Sequence, residues 1–214
     1  MLISGLRTPH LPSTFKYTLD DGLPVFLRPI RPEDASRLRE GFARMTQLAR
    51  RRRLPHLDDD VAELDDGLLQ RLVNADQVNH VAWGAMNLDR PEEPGIGVAR
   101  YISINGEPDA ADVAIIIADE YQGRGAGFVL QACLHLRAHA CGIRTFYYDV
   151  ASDNDRIIRH LKLMGARHAG RADNIDRLVL PVYHRAWDVP DDNDIARRFA
   201  EVFRRLQRVE AVAA

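Results

Sequence analysis

The spacing of apolar and polar positions changes period several times along the chain, and each change predicts an element. Thr14–Tyr17 and Pro24–Leu27 read as two short strands around Leu19-Asp20-Asp21-Gly22, a hairpin. Arg31-Pro32-Glu33-Asp34 opens a helix with proline and acids in its first turn, and Ala35, Leu38, Phe42 and Met45 give it an apolar face. Leu64, Leu68, Leu69 and Leu72 mark a second helix. Val78–Met86 and Gly95–Ser103 are strand-like runs separated by a loop with Asp89, Pro91 and Pro94, which predicts antiparallel neighbours. A third run, Val113–Ala118, follows the turn Asn105-Gly106. Phe128, Val129, Ala132, Leu136 and Ala140 then recur at helical spacing until Gly142. Thr145–Val150 is a strand, Asp153-Asn154 opens a helix that Gly165 stops, and Leu178–Tyr183 is a last strand. Ile195, Phe199, Val202, Leu206 and Val209 form a stripe along an Arg-rich C-terminal helix, read as a cap on the domain or a homodimer contact.

The joint between Val113–Ala118 and the helix after it carries the chemistry. Asp119-Glu120-Tyr121-Gln122-Gly123-Arg124-Gly125-Ala126-Gly127 places three glycines in five residues between a β-branched run and a helix start. Glycine removes the side chains that keep a ligand from the backbone, and a helix N-terminus favours an anion by roughly 0.3 to 2 kcal/mol. Phosphate is the natural ligand of such a loop.

Bulk properties narrow the partners. The 214 residues fit one domain with appendages, and 46% hydrophobic with 28% charged residues is ordinary for a soluble globular protein. No apolar run approaches the roughly 18 residues of a membrane span. Met1–His10 lacks the pattern of a secretory signal, so the expected location is the cytoplasm. The two cysteines, Cys133 and Cys141, have no metal spacing and read as buried or idle thiols. A net charge of -2 exerts no global pull on nucleic acid. Arg50–Arg53 is followed by Asp58, Asp59, Asp60, Glu63, Asp65 and Asp66, and reads as a solvated, mutually paired segment. His135 and His139 stand at i, i+4, yet no third ligand follows in a metalloprotease pattern, so no metal is expected. Trp83 and Trp187 are expected to pack.

Two phosphate-binding loops are excluded by residue type. A P-loop needs a lysine followed by serine or threonine, and neither occurs here. A dinucleotide fingerprint needs a third glycine where Phe128 stands, and belongs after the first strand of a repeated parallel unit, although Asp149 does end the next strand as a ribose-binding acid would. Gln122-x-x-Gly125-x-Gly127 after an apolar strand, with Asn154 opening the helix after the next strand, resembles the GNAT superfamily of N-acetyltransferases. Leu27-Arg28-Pro29-Ile30-Arg31-Pro32-Glu33-Asp34 is similar to an opening these enzymes share. The narrower likeness is to the acetyltransferase domain of bacterial protein-lysine acetyltransferases.

The resemblance implies an α/β (α+β) GNAT fold: a mixed, mostly antiparallel sheet with helices on both faces. It divides the chain into an N-terminal hairpin extension (1–24), the acetyltransferase domain (25–184) and a C-terminal helical extension (185–214). It implies acetyl-CoA as cosubstrate and an amine, a small molecule or a protein lysine, as acceptor. Ile115, Ile116 and Ile117 match the strand that bonds the pantetheine arm, and also suit a plain core strand. Gln122, Gly123, Arg124, Gly125, Ala126 and Gly127 match the pyrophosphate loop, with Arg124 either near the phosphates or solvated. Asn154 matches a pantetheine contact; taken alone it is a helix N-cap.

A lysine-like amine of pKa about 10.4 is neutral only about 0.04% of the time at pH 7, so a base must take its proton. Asp112, placed at the start of the loop strand, matches the Glu that protein-lysine acetyltransferases carry there, one carbon shorter, which favours a bridging water. Its other reading is a strand-edge acid, with Asp109 and Glu107 as alternatives. Leu161 departs from the family, many members of which have a Tyr that protonates the thiolate; Tyr147, Tyr148 and His160 are nearby. That departure keeps open a second function, a CoA-binding regulatory or scaffolding module without turnover.

Overall fold

The computed structural model describes residues 13–53 and 64–209. Asp58, Asp59, Asp60 and Glu63, the acids set against the arginine run, lie outside the described residues, as do Met1–His10 and the side chains of Arg51, Arg52 and Arg53. The elements in order are β1 (Phe15–Thr18), β2 (Pro24–Pro29), α1 (Ala35–Ala43), α2 (Gln47–Arg53), α3 (Asp66–Val73), β3 (His80–Asn87), β4 (Gly97–Ile104) and β5 (Glu107–Ile117). They continue with α4 (Ala126–Ala140), β6 (Thr145–Ala151), α5 (Asp155–Leu163), β7 (Arg167–Ala172), β8 (Ile175–Pro181) and α6 (Asp194–Leu206). Among the described residues one sheet of order β1-β2-β3-β4-β5-β6-β8-β7 carries all eight strands. Every neighbouring pair is antiparallel except β5–β6, which α4 joins as a parallel crossover.

Both faces of the sheet are covered, as expected. Ala111, Val113, Ile115 and Ile117 of β5 turn towards the core shared by α4, α5 and α6, and Ile116 turns towards α1 and α3. Burial on two faces explains why β5 ends in an unbroken apolar run rather than an alternation. Eleven of the fifteen residues of α4 are buried, so the sheet alone cannot cover it. The α6 stripe covers the rest: Phe199 packs on Phe128, ring centroids 5.9 Å apart, and Phe203 and Leu206 are buried. The C-terminal stripe is thus used within the chain.

Three differences from the sequence reading have physical causes. Helix α2 was not foreseen; its signal is Thr46, whose hydroxyl accepts from the Ala49 amide at 3.2 Å as an N-terminal cap. Strand β7 has no apolar face and escapes a periodicity search. It pairs with β8 through Asp173-Asn174, both left-handed (φ 47° and 61°), the signature of a two-residue hairpin. Strand β5 begins at Glu107 rather than Val113, because its polar first half still pairs with β4. Of the two tryptophans, Trp83 is buried against Phe15, but Trp187 is 69% exposed with Arg185 over its ring.

The histidine pair divides the same way. His135 is buried among aromatic rings, and its Nδ1 accepts the Tyr183 amide at 2.9 Å. His139 stacks on His184 with centroids 4.0 Å apart. Among the described residues no group of three or more His, Cys, Asp or Glu is placed to hold a metal ion. Burial pushes the His135 imidazole down to about 3. The unfolded chain therefore takes up a proton below about pH 6.5 that the native state refuses until about 3, so stability falls as pH falls through this window. At pH 5 His135 alone should remove about 2 kcal/mol relative to pH 7.5. Denaturation midpoints at pH 7.5, 6 and 5 should decline steadily, and a constant midpoint contradicts a neutral buried imidazole.

Candidate active site

The central geometric feature is a wedge between two parallel strands. β5 and β6 pair only at Ala110–Thr145, Ala111–Phe146 and Asp112–Tyr147. Beyond that last rung β5 stays on β4 as far as Gly97–Ile117, and β6 stays on β8 as far as Ala151–Ile175. Gly97 holds the first pair close: a Cβ there would lie 2.5 Å from the Ile116 carbonyl oxygen. Each strand is thus held on its outer side while the inner sides separate. The backbone of Ile115, Ile116 and Ile117 borders this opening, where an extended amide-bearing ligand could bond as an added strand does.

At the open end of the wedge stands the glycine loop. A 3-10 turn over Asp119–Tyr121 leads out of β5, and Gln122 Nε2 donates to Asp119 Oδ1 at 2.6 Å, so this side chain shapes the turn. Tyr121 is buried, its phenol accepting from Asn87 at 2.9 Å and donating to Glu93, which ties the loop to the end of β3. Burial, then the Glu93 carboxylate, pushes that phenol up. Gly123 (φ 78°) and Gly125 (φ 95°) are left-handed, and Gly125 is the N-cap of α4. The first helical donors at this end are the Phe128 and Val129 amides, both to the Gly125 carbonyl; the helix leaves the earlier amides unused. Free amides and a helix dipole in this arrangement favour an anion. A Cβ on Gly123 would meet nothing within 4 Å, one on Gly125 would lie 3.1 Å from Asp20 Oδ2, and one on Gly127 would make an ordinary 3.8 Å contact with Ile117.

The remaining candidates fall at three depths around the wedge. Asn154 occupies the N-cap of α5 but makes no capping bond with its side chain. Arg124 pairs with Asp21 and lies over the Tyr121 ring. Asp112 sits on the last rung at the apex, in mid-strand rather than at the strand start, with its side chain 54% exposed. Arg177 Nη2 donates to it at 2.6 Å, lies 3.5 Å from Asp149 and stacks over Tyr147. This group of Asp112, Tyr147, Asp149 and Arg177 was not foreseen, although alternation along β6 already places Tyr147 and Asp149 on one face. Glu107 and Asp109 lie at the hairpin end of β5, on the far side of Asp112 from the loop.

Of the proton donors considered, Tyr148 points into the core and accepts from Gln131 at 2.9 Å. His160 packs on Phe128, and burial, then the Arg156 and Arg198 charges, pushes it down to about 4. Leu161 is 3% exposed and part of the core. Tyr147 is half-buried on the Asp112 face. On that face, α1 encloses a cavity of about 180 Å³ whose walls include Leu38, Phe42, Met45, Met86, Ala114 and Ile116.

The model of the family described as acetyltransferase (GNAT) domain matches residues 25–167. This chain belongs to the GNAT family of N-acetyltransferases. It is 33% identical over 144 residues to acetyltransferase PA5475 of Pseudomonas aeruginosa, covering 67% of this chain and 75% of that protein. It is 29% identical over 145 residues to acetyltransferase Pat of Mycolicibacterium smegmatis, covering 66% of this chain but 40% of that relative. The crystal structure of the GNAT domain of S. lividans PAT superposes with a TM-score of 0.69 at 24% identity, covering 78% of this chain and 96% of that one.

The loop geometry separates two glycine substitutions. Gly125→Val imposes a β-branched side chain on a left-handed backbone against Asp20 and should weaken CoA binding by about tenfold or more, a loss of about 1.4 kcal/mol or more. Gly127→Ala meets neither obstacle and should stay within about twofold, under about 0.5 kcal/mol. Calorimetric titration with CoA checks both, and equal losses would contradict the assignment of the left-handed position.

Proposed function

We propose that this protein transfers the acetyl group of acetyl-CoA to a primary amine. The observation that carries this reading is the adjacency of a left-handed, amide-bearing loop at the start of α4 to the parting of β5 and β6. The loop suits a diphosphate and the wedge suits an extended amide-bearing arm, and CoA joins those two groups in one molecule. In the reaction the neutral amine attacks the thioester carbonyl, the C–S bond breaks and CoA leaves as a thiolate that takes up a proton. Asp112, at the apex of the wedge, receives the amine's proton through a water, because its carboxylate is one carbon short of the Glu it matches. Arg177 orients its carboxylate. With leucine at position 161, Tyr147 is the phenol on the Asp112 face that can return a proton to sulfur.

A protein lysine is the acceptor we favour. The exposure of Asp112 leaves room for a macromolecular substrate, and the apolar walls beneath α1 suit the four-carbon stem of a lysine. The burial of Leu161 favours one alternative, a CoA-binding module without turnover. Acetyl transfer to lysine-bearing peptides and small amines separates the two: tight acetyl-CoA binding with no transfer to any acceptor would leave only the module. If transfer occurs, Asp112→Asn should lower kcat/KM by about 10²-fold or more while CoA affinity stays within about twofold. An unchanged pH–rate profile in that variant removes Asp112 from the base role.

A further inference from the structure

The turn between β1 and β2 brings two carboxylates against the glycine loop, from a part of the chain outside the matched family segment. Asp21 receives Arg124 Nε, and Asp20 Oδ2 lies where a Cβ on Gly125 would be 3.1 Å away. Asp20 is held there by α6: Arg198 donates Nη2 at 2.6 Å and Nε at 3.2 Å, and Arg205 reaches Oδ1 at 3.4 Å. Arg205 also donates to the Thr18 carbonyl and stacks over Tyr17, so it anchors the hairpin. Arg198 lies over Phe128 in the first turn of α4, on the side where α5 brings up His160 and Arg156.

A helix N-terminus favours anions and disfavours guanidinium groups, so Arg124 and Arg198 reside there at an electrostatic cost that Asp20 and Asp21 relieve. The four groups are partly solvent-exposed, between 35% and 49%, which makes their ion pairs weak and exchangeable. A phosphate offers a guanidinium the same planar two-oxygen face as a carboxylate, with more charge.

Building on the CoA reading above, we propose that Asp20 and Asp21 are internal stand-ins for cofactor phosphates, and that Arg198 of α6 becomes a phosphate-binding residue when it exchanges Asp20 for CoA. The hairpin turn thereby competes with the cofactor, and α6 contributes to recognising it. The nearby phosphates are the diphosphate and the 3′-phosphate, which share this chemistry.

Calorimetric titrations of the full chain with CoA and with 3′-dephospho-CoA test the exchange. Asp20→Asn keeps the shape of the turn and removes the competing charge, and should tighten CoA binding about threefold or more. Arg198→Met keeps the packing on Phe128 and should weaken it about tenfold. If only CoA is weakened, Arg198 meets the 3′-phosphate; if both ligands are weakened alike, it meets the diphosphate. Unchanged affinities in Arg198→Met, or unchanged or weaker CoA binding in Asp20→Asn with the folded fraction intact, overturn the exchange. Wild-type protein that binds neither ligand overturns the CoA reading itself, which is a different result.

Discussion

The site depends on a limit to strand pairing: β5 and β6 share three rungs and then part. Neither strand is loose where they separate. β5 is held on its far side by β4 as far as Ile117, at an approach so close that only glycine fits at position 97, and β6 is held by β8 as far as Ala151. Each strand keeps its outer partner past the last shared rung, so the two inner edges diverge without either strand losing its own ladder. The result is a stretch of backbone with strand geometry and an open side, which is costly to bury dry and well suited to an extended ligand rich in amides.

The same parting places the glycine loop. The parallel crossover obliges the chain to leave β5, turn sharply and start α4 over the sheet, and the turn needs two left-handed residues, Gly123 and Gly125. Because α4 is apolar nearly all round, it demands a second cover besides the sheet, and α6 provides it through Phe199 and Phe203. Packing α6 there brings Arg198 and Arg205 to the N-terminal end of α4, where the first hairpin meets them with Asp20. The segments flanking the family-matched residues are therefore tied to the glycine-loop end of the site through core packing and ion pairs alike.

What could be read in the sequence was what glycine, β-branching and helical period report directly. Ile115–Ile117, the Gln122–Gly127 loop and the helix opening at Asn154 lie where their local patterns imply, and the resemblance they carry implied the fold class that the structure has. Local pattern is silent where partners come from distant strands. Arg177 reaches Asp112 across 65 positions and Asp20 reaches Arg198 across 178, and no periodicity encodes such pairs. Strand β7 was hidden because an exposed edge strand has no apolar face, and α2 because a run of arginines obscures its threonine cap. The mid-strand position of Asp112 was hidden because the polar start of β5 is held to β4 at Glu107 and again at Ala111, across an irregular register that no periodicity reports.

Backbone hydrogen exchange across 113–127, with and without acetyl-CoA, tests the central claim most directly. Acetyl-CoA should slow exchange at the amides of Ile115–Ile117 that face β6 and at Gly123–Gly127, and leave the β7–β8 hairpin unaffected. Protection confined to the cavity beneath α1, or none at saturating acetyl-CoA, would contradict a cofactor seated in the wedge between β5 and β6.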